Sequence, residues 1–595
     1  MPTVKFPAQG QSGKAAFRGI NNAYDSAFNP VTDAEDCRNV VLGEGPVEKR
    51  AGFQEIASFF DEGTPLGMFD YVKNDGTTVT LEKVGRKLFA VSINALSASA
   101  VELSADGSLV GEPVDFSGVN NRVYFCDGST FKVTDGISVF NAELPTVPNL
   151  LSASVAGGNL TGLYEHRVTY YSSTWGQESN ASSSPNAINA LNTSVDITIQ
   201  RTSDTRVDKV RVYRRKVSAG ENLWYFSLEA NHTPGSGTFV VNDNVKDSDV
   251  SSTSTAPLPI GIAPIPKFMT YQADVMFAAG DPAFPNRLYF TPPGKPFAIV
   301  GFVDIGSTGD SDPITALFAY RGLLFVGKRK SIWAVDGNSE DTIYVRKVWE
   351  GSGPVGHHSV EAVGDLVYYL GEDEVYVFDG SQATPISRPV HERIVNRNFA
   401  RDRFSVSCHL YDLGAILWSF SDSGQQSNQK ILVYFYRYSE EVGFPVWSPW
   451  TFAFPLAYPA LVTDGTTKKR VVALGFADGN GKTGVYGGTT DDGDVIDFLW
   501  RSGKIDLDEP SRWKILGELM VDFVPQLQDS LIDIKMLLDS DFPTDIQLGY
   551  DMVDPVFRNR VSSSARQFRY EFANNNTSPV VIRGWEQDVA LGGSA

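Results

Sequence analysis

The residues in this 595-residue chain best suited to chemistry are few and scattered. There are six histidines. His357 and His358 are adjacent, so on a strand their rings point to opposite faces, and no His or Cys companion stands nearby to make a shared metal site. His166, His232, His391 and His409 fall in different units, without zinc-ligand spacing. Cys37, Cys126 and Cys408 form an odd, widely separated set, which argues against a disulfide framework and reads as small buried apolar side chains. No Gly-x-Ser-x-Gly elbow occurs. The run from Gly475 to Gly484 contains Gly481-Lys482-Thr483, but its first glycine is one position too far away for a phosphate loop. The following Val485-Tyr486 reads as strand rather than helix, so a hairpin loop is expected. Asp478, Asn480, Asp491, Asp492 and Asp494 put oxygen ligands in one region but break the calcium-loop pattern and lack its final Glu. Paired carboxylates for glycoside hydrolysis act from separate strands, and 71 acidic residues single out no pair. The sequence therefore designates no catalytic, cofactor-binding or metal residue, implies no cofactor, and reads as a non-enzyme.

The elements that would have to position any such group are short strands. Aromatic residues make up 12% of the chain, with 54 Gly and 32 Pro spread between apolar runs, a composition suited to strands joined by tight turns. A unit recurs from Tyr71 onward: strand, polar turn, second strand, then often Asp-Gly. Asn121–Cys126 with Phe131–Thr134 is one copy. Gly322–Gly327 with Ser331–Asp336 and Asp365–Gly371 with Glu374–Phe378 are two more. The Asp336-Gly337 and Asp379-Gly380 pairs stand 43 residues apart, the length of a four-stranded propeller blade. Arg86–Val91, Asn286–Phe290, Ala415–Phe420, Lys430–Phe435 and Arg470–Leu474 are weaker copies. Small sheets with two apolar faces bury both by stacking around a ring, so six to eight blades are expected.

Two regions depart from this spacing. Between Glu143 and Pro257 the period-2 sets Val195, Ile197, Ile199 and Val210, Val212 suggest an inserted immunoglobulin- or fibronectin-like sandwich. After Asp497 the Asp-Gly punctuation disappears. The fold class is thus all-β: a β-propeller with an inserted sandwich and a C-terminal β module. The expected division is an N-terminal arm and first pairing segment at 1–60, propeller at 61–143, insert at 144–257, propeller again at 258–496 and the module at 497–595. Residues 1–35 could clamp a neighbour. Arg388, Arg393, Arg397, Arg401 and Arg403, opposed by Glu392 and Asp402, form a basic patch that reads as a surface excursion or as a contact for an acidic neighbouring subunit. A net charge of −20 disfavours nucleic acid or anionic membrane as a ligand of the whole surface. The N-terminus shows no apolar signal segment and no run is long enough for a membrane helix, so a product of the cytoplasm is expected.

Three features together resemble a known family. Asp36-Cys37-Arg38-Asn39-Val40 followed by Gly45-Pro46-Val47-Glu48-Lys49-Arg50-Ala51-Gly52 is similar to the start of tail proteins of short-tailed bacteriophages. Gly162–Tyr170 with Gly176–Asn180, Ser183 and Pro185 resembles their inserted module. The blade pair ending in Asp336-Gly337 and Asp379-Gly380, followed by Ile386-Ser387, is the third. The resemblance is to the tail nozzle or DNA-stabilisation proteins below the portal. It implies a structural virion protein in a homo-oligomeric ring, a hexamer, that extends the DNA channel, retains packaged DNA and allows its ejection. Its implied partners are the adaptor or head–tail connector and tail fibre, needle or tip proteins, with DNA passing through unread. Its implied location is the virion tail, assembled in the host cytoplasm. The alternative is a host-surface or glycan-binding β-propeller, with Trp447 and Trp450 as candidate aromatic platforms. A glycoside hydrolase is a minor alternative.

Overall fold

The computed structural model describes residues 3–6, 17–23, 30, 32–43, 46–58, 63–94, 97–104, 109–148, 150–183, 187–250, 253–257, 264–307, 310–339, 341–526, 530–539 and 543–594. The architecture is all-β, with several small antiparallel sheets. Seven of the sheets have four strands each. Their first strands are β1 (Pro65–Val72), β2 (Asp115–Val119), β3 (Phe268–Gln272), β4 (Ile314–Tyr320), β5 (Val360–Val363), β6 (Val406–Leu410) and β7 (Leu456–Thr463). Each first strand touches the next in chain order, and β7 returns to touch β1. The seventh sheet takes its outer strand, Phe53–Ser58, from the chain just before β1. One sheet thus joins the two ends of the series by hydrogen bonds.

Apolar residues alternate along these strands and are buried between neighbouring sheets. Phe318, Phe325 and Ile332 of the fourth sheet pack with Val367, Tyr369 and Phe378 of the fifth. Leu288 and Phe290 of the third pack with Leu317, Leu324 and Val326 of the fourth. Gly337 and Gly380, of the two Asp-Gly pairs, sit at φ 99° and 100°, where a side chain would be strained.

The region between the second and third sheets forms one six-stranded sheet in the order Tyr225–Asn231, Lys209–Lys216, Leu151–Ser172, Ile188–Gln200, Thr238–Asp243, with Gln177–Glu178 pairing the long strand. Where the sequence suggested two layers, hydrogen bonding is continuous. The 22-residue strand Leu151–Ser172 pairs with Ile188–Gln200 on one edge and Lys209–Lys216 on the other. Its register shifts between Ala156 and Thr161, next to Gly157 at φ 82°, the irregularity that lets a strand bend. Leu160, Tyr164, Val168, Val195, Ile197, Val210 and Val212 are all buried in its core.

The last hundred residues contribute to two sheets, and N-terminal strands complete both. Ala34–Arg38 pairs with Phe498–Ser502, while Val47–Lys49 pairs with Val581–Ser594. The first pairing segment expected within 1–60 is present as Val40–Leu42 against Val47–Lys49; Glu44 and Gly45, most of the arm (7–16 and 24–29), and Pro185 lie outside the described residues. Arg50 is buried, its guanidinium donating to both oxygens of Asp491 at 2.8 and 2.6 Å. Among the described residues no helix is long and apolar enough to cross a membrane.

Candidate site at the axis of the seven strands

The seven first strands surround a cavity of about 650 Å³. All seven contribute to its lining, with Asp70, Asp115, Tyr271, Glu361, His409 and Arg470 among the polar groups. At one end lies a mouth pocket of about 290 Å³. His357 and His358 line both spaces, so they form the floor of the one and the roof of the other.

These two histidines sit in a 3-10 turn, His357–Ser359, just before β5. Strand alternation therefore does not apply. Their rings meet edge to face at 5.0 Å, with Asp115 of β2 beside them. The sequence reading that set these side chains apart is corrected here: one ligand atom from each of Asp115, His357 and His358 falls within 4.8 Å of the others. Yet the hydrogen bonds do not suit a metal. The Leu317 amide donates to His357 Nδ1 at 3.2 Å, which requires a lone pair there. Nε2 then carries the proton and donates to Asp115 Oδ2 at 3.0 Å. Both nitrogens are engaged, leaving no lone pair for a cation. Burial raises the Asp115 carboxyl, but His357, His358 and the Met269 amide outweigh it and hold it below the usual carboxylate range. His358 shares a hydrogen bond of 3.1 Å between Nδ1 and the Tyr458 hydroxyl. Burial, then repulsion from His357, lowers it to about 4, so it is neutral at pH 7. Burial raises Glu361, across the cavity, to about 7.

The mouth pocket is built from the polar ends of the same sheets. Phe268 stacks on His357, ring centroids 5.1 Å apart and planes 12° from parallel. Phe399, in the 3-10 segment Phe399–Phe404, is 45% exposed at the rim. Glu112 pairs with Arg403 at 3.0 Å, and Lys83 with Asp127 at 3.0 Å in full burial. Asp402 accepts from Arg397 at 2.8 Å and from Arg329 at 3.3 Å.

Of the other residues marked in the sequence, Cys408 and His409 line the cavity and Arg401 lies outside the mouth pocket that Asp402 and Arg403 line. His166 pairs with Asp243 inside the inserted region, His391 with Glu374, and His409 with the Tyr436 hydroxyl. His232 packs between Tyr170 and Phe239. Cys37, Cys126 and Cys408 are free and buried. In the Asp-rich region, Asp491 is held by Arg50, and Asp492 by Lys482 at 2.8 Å. The Gly475–Gly484 segment joins strands Arg470–Phe476 and Lys482–Tyr486. Trp447 and Trp450 are buried, their indole N–H groups donating to Ile386 and Val40 carbonyls, so they offer no platform. Of the arginine patch, Arg397 is 2% exposed and tied to Asp402, and Arg403 to Glu112. The sequence did not mark Phe268, Phe399 or Lys267, because a lone aromatic or lysine between repeats carries no signal without the ring that gathers it.

No family model and no curated protein matches the chain. Solved structures similar to it include YCF48 from Cyanidioschyzon merolae, at 11% identity over 64% of this chain and 95% of that one, TM-score 0.24. PorZ of Porphyromonas gingivalis, described as an essential bacterial surface component of the type-IX secretion system, matches at 9% identity over 91% of this chain and 99% of that one, TM-score 0.21. An exo-beta-1,3-galactanase from Phanerochaete chrysosporium matches at 9% identity over 82% and 98%, TM-score 0.17. At these scores the likenesses assign no activity to this chain. They do correct the nozzle reading. PorZ is described as a surface component and the galactanase as acting on a glycan, and none of the three is a bacteriophage tail protein. The conduit function, the virion-tail identity and the connector role that the resemblance implied do not hold. The hexameric ring and its partners were implied by that resemblance alone and are not carried forward.

Proposed function

We propose that the chain is a glycan-binding protein: a closed seven-bladed β-propeller, carrying a curled inserted sheet, that takes its ligand in the mouth pocket above His357 and His358. The cyclic contact of the seven first strands supports the ring. The observation that carries the functional reading is the pocket's composition. Phe399, 45% exposed and with the Arg397 guanidinium 4.6 Å from its ring centroid, lines the same pocket as paired carboxylates and guanidiniums, Glu112 with Arg403 and Asp402 with Arg329. Sugars need such a mixture: a flat apolar face for their C–H groups and charged hydrogen-bonding partners for their hydroxyls. Binding rather than hydrolysis is favoured because the mouth's carboxylates are committed. Glu112, Asp127 and Asp402 hold cations, and Asp281 accepts from the Tyr289 hydroxyl at 2.9 Å. A glycan array probed with the intact chain tests the reading. Specific retention that falls about tenfold in Phe399→Ala is expected from the loss of one stacking contact, whereas retention of no glycan would overturn it.

A further inference from the structure

The charged groups in and around the mouth pocket are mostly paired with one another. Lys83 and Asp127 match, as do Arg403 and Glu112. Asp402 is shared by two guanidiniums: Arg397, buried beside it, and Arg329, whose side chain is 32% exposed. Lys267 lines the same pocket, and among the described residues no carboxylate lies within ion-pair distance of it. Lys267 thus stands without a carboxylate partner and Arg329 shares its own, while the remaining carboxylate, Asp281, is occupied by the Tyr289 hydroxyl and the Ala283 amide, each at 2.9 Å.

Lys267 is also held in place. Its stem runs past Gly128 and Gly280, at φ 81° and 83°. A Cβ at Gly128 would come within 3.0 Å of the lysine Cγ, and one at Gly280 within 3.0 Å of its Cβ and 2.8 Å of the Phe268 ring. Two positions that favour glycine thus leave room for the aliphatic stem of a residue that lines the pocket.

From this geometry we infer that the mouth pocket selects anionic sugars, glycans carrying a carboxylate or a sulfate, with Lys267 and Arg329 as the residues that bind the anion. The inference rests on the glycan-binding reading and narrows it. A sugar anion would supply the partner that Lys267 lacks and that Arg329 has only in part, and a charge-assisted hydrogen bond formed there is stronger than a neutral one. Phe399, at the rim of the same pocket, would face the ring that bears the anion.

The test is calorimetric titration of the full chain with three oligosaccharides that differ only at the terminal residue: glucose, glucuronate or sulfated glucose. The anionic pair should bind at least about tenfold tighter than the neutral one, the scale of one charge-assisted contact. Lys267→Met keeps the stem between the two glycines and removes the charge; it should abolish that preference while leaving neutral-sugar affinity within about twofold. Arg329→Gln should lower the preference in the same direction. Equal affinity for neutral and anionic termini, or a preference that survives in both variants, overturns the inference and leaves glycan binding standing. Binding of none of the three, together with an empty glycan array, overturns the underlying reading itself.

Discussion

Among the described residues two Asp–His pairs have the same length, and their surroundings make them opposite in character. In the inserted sheet, His166 Nε2 meets Asp243 Oδ2 at 3.0 Å, with both side chains 0% exposed. Asp243 also accepts from Arg214 and Ser227, each at 2.9 Å. Burial raises this carboxyl, but His166 and Arg214 more than reverse it and keep it ionised. At the ring axis, Asp115 and His357 also meet at 3.0 Å, but they border an open cavity. A sealed pair fixes strands to one another; a pair at a cavity wall leaves its neighbours within reach of a ligand. The difference lies in the second layer of contacts rather than in the residues themselves.

The largest effect should come from breaking the sealed pair. Asp243→Asn takes the carboxylate from between His166 and Arg214 and leaves buried Arg214 with Asp247 alone; removing one partner of a buried ion pair costs about 3–5 kcal/mol. Denaturant unfolding should show an early transition for the inserted sheet. A loss under 1 kcal/mol would mean that the network is looser than it looks.

Glu82 comes next. It is fully buried, one oxygen accepts from Thr483 and the other has no partner, and burial raises it to about 7. The folded chain therefore holds a proton that the unfolded chain releases near pH 4.5. Stability present below pH 4.5 is lost as pH rises to about 7, by on the order of 3 kcal/mol. Glu82→Gln should flatten that slope between pH 5 and 8 in chemical denaturation; an unchanged slope contradicts the assignment.

At the axis the expected effects are smaller. Asp115→Asn should cost about 1–2 kcal/mol, because water in the cavity can replace part of what His357 loses. A cost equal to that of Asp243→Asn would erase the contrast between the pairs. His358, lowered to about 4, favours the neutral form in the folded state. Stability present above pH 6.5 is therefore lost as pH falls from 6.5 towards 4, and NMR titration of its ring should show no protonation at pH 6. The smallest effect belongs to Phe399→Ala, a rim residue, whose unfolding free energy should stay within about 0.5 kcal/mol of the parent while its glycan retention falls.

The sheets were legible in the sequence because their signal is local and repeated. Leu323–Lys328 with Ser331–Asp336, and Leu366–Leu370 with Val375–Phe378, fall where alternation and Asp-Gly turns put them. The outer strand of the seventh sheet was not, because Phe53–Ser58 pairs with Lys482–Tyr486 from the far end of the chain. The continuous sheet of the inserted region was missed for a different reason: alternation reveals a buried face but not which edges share hydrogen bonds. The site was hidden twice over. His357 and His358 occupy a 3-10 turn instead of a strand, and Asp115 reaches them from more than two hundred positions away. Trp447 and Trp450 drew notice as large aromatics, yet their burial shows that size alone points to the core.

An experimental structure of the chain soaked with a glycan retained on the array tests the central claim most directly. The account predicts sugar density in the mouth pocket, one ring face against Phe399 and polar contacts to Arg329 and Arg403. Density on the inserted sheet or the C-terminal sheets, with the mouth filled only by water, would contradict it.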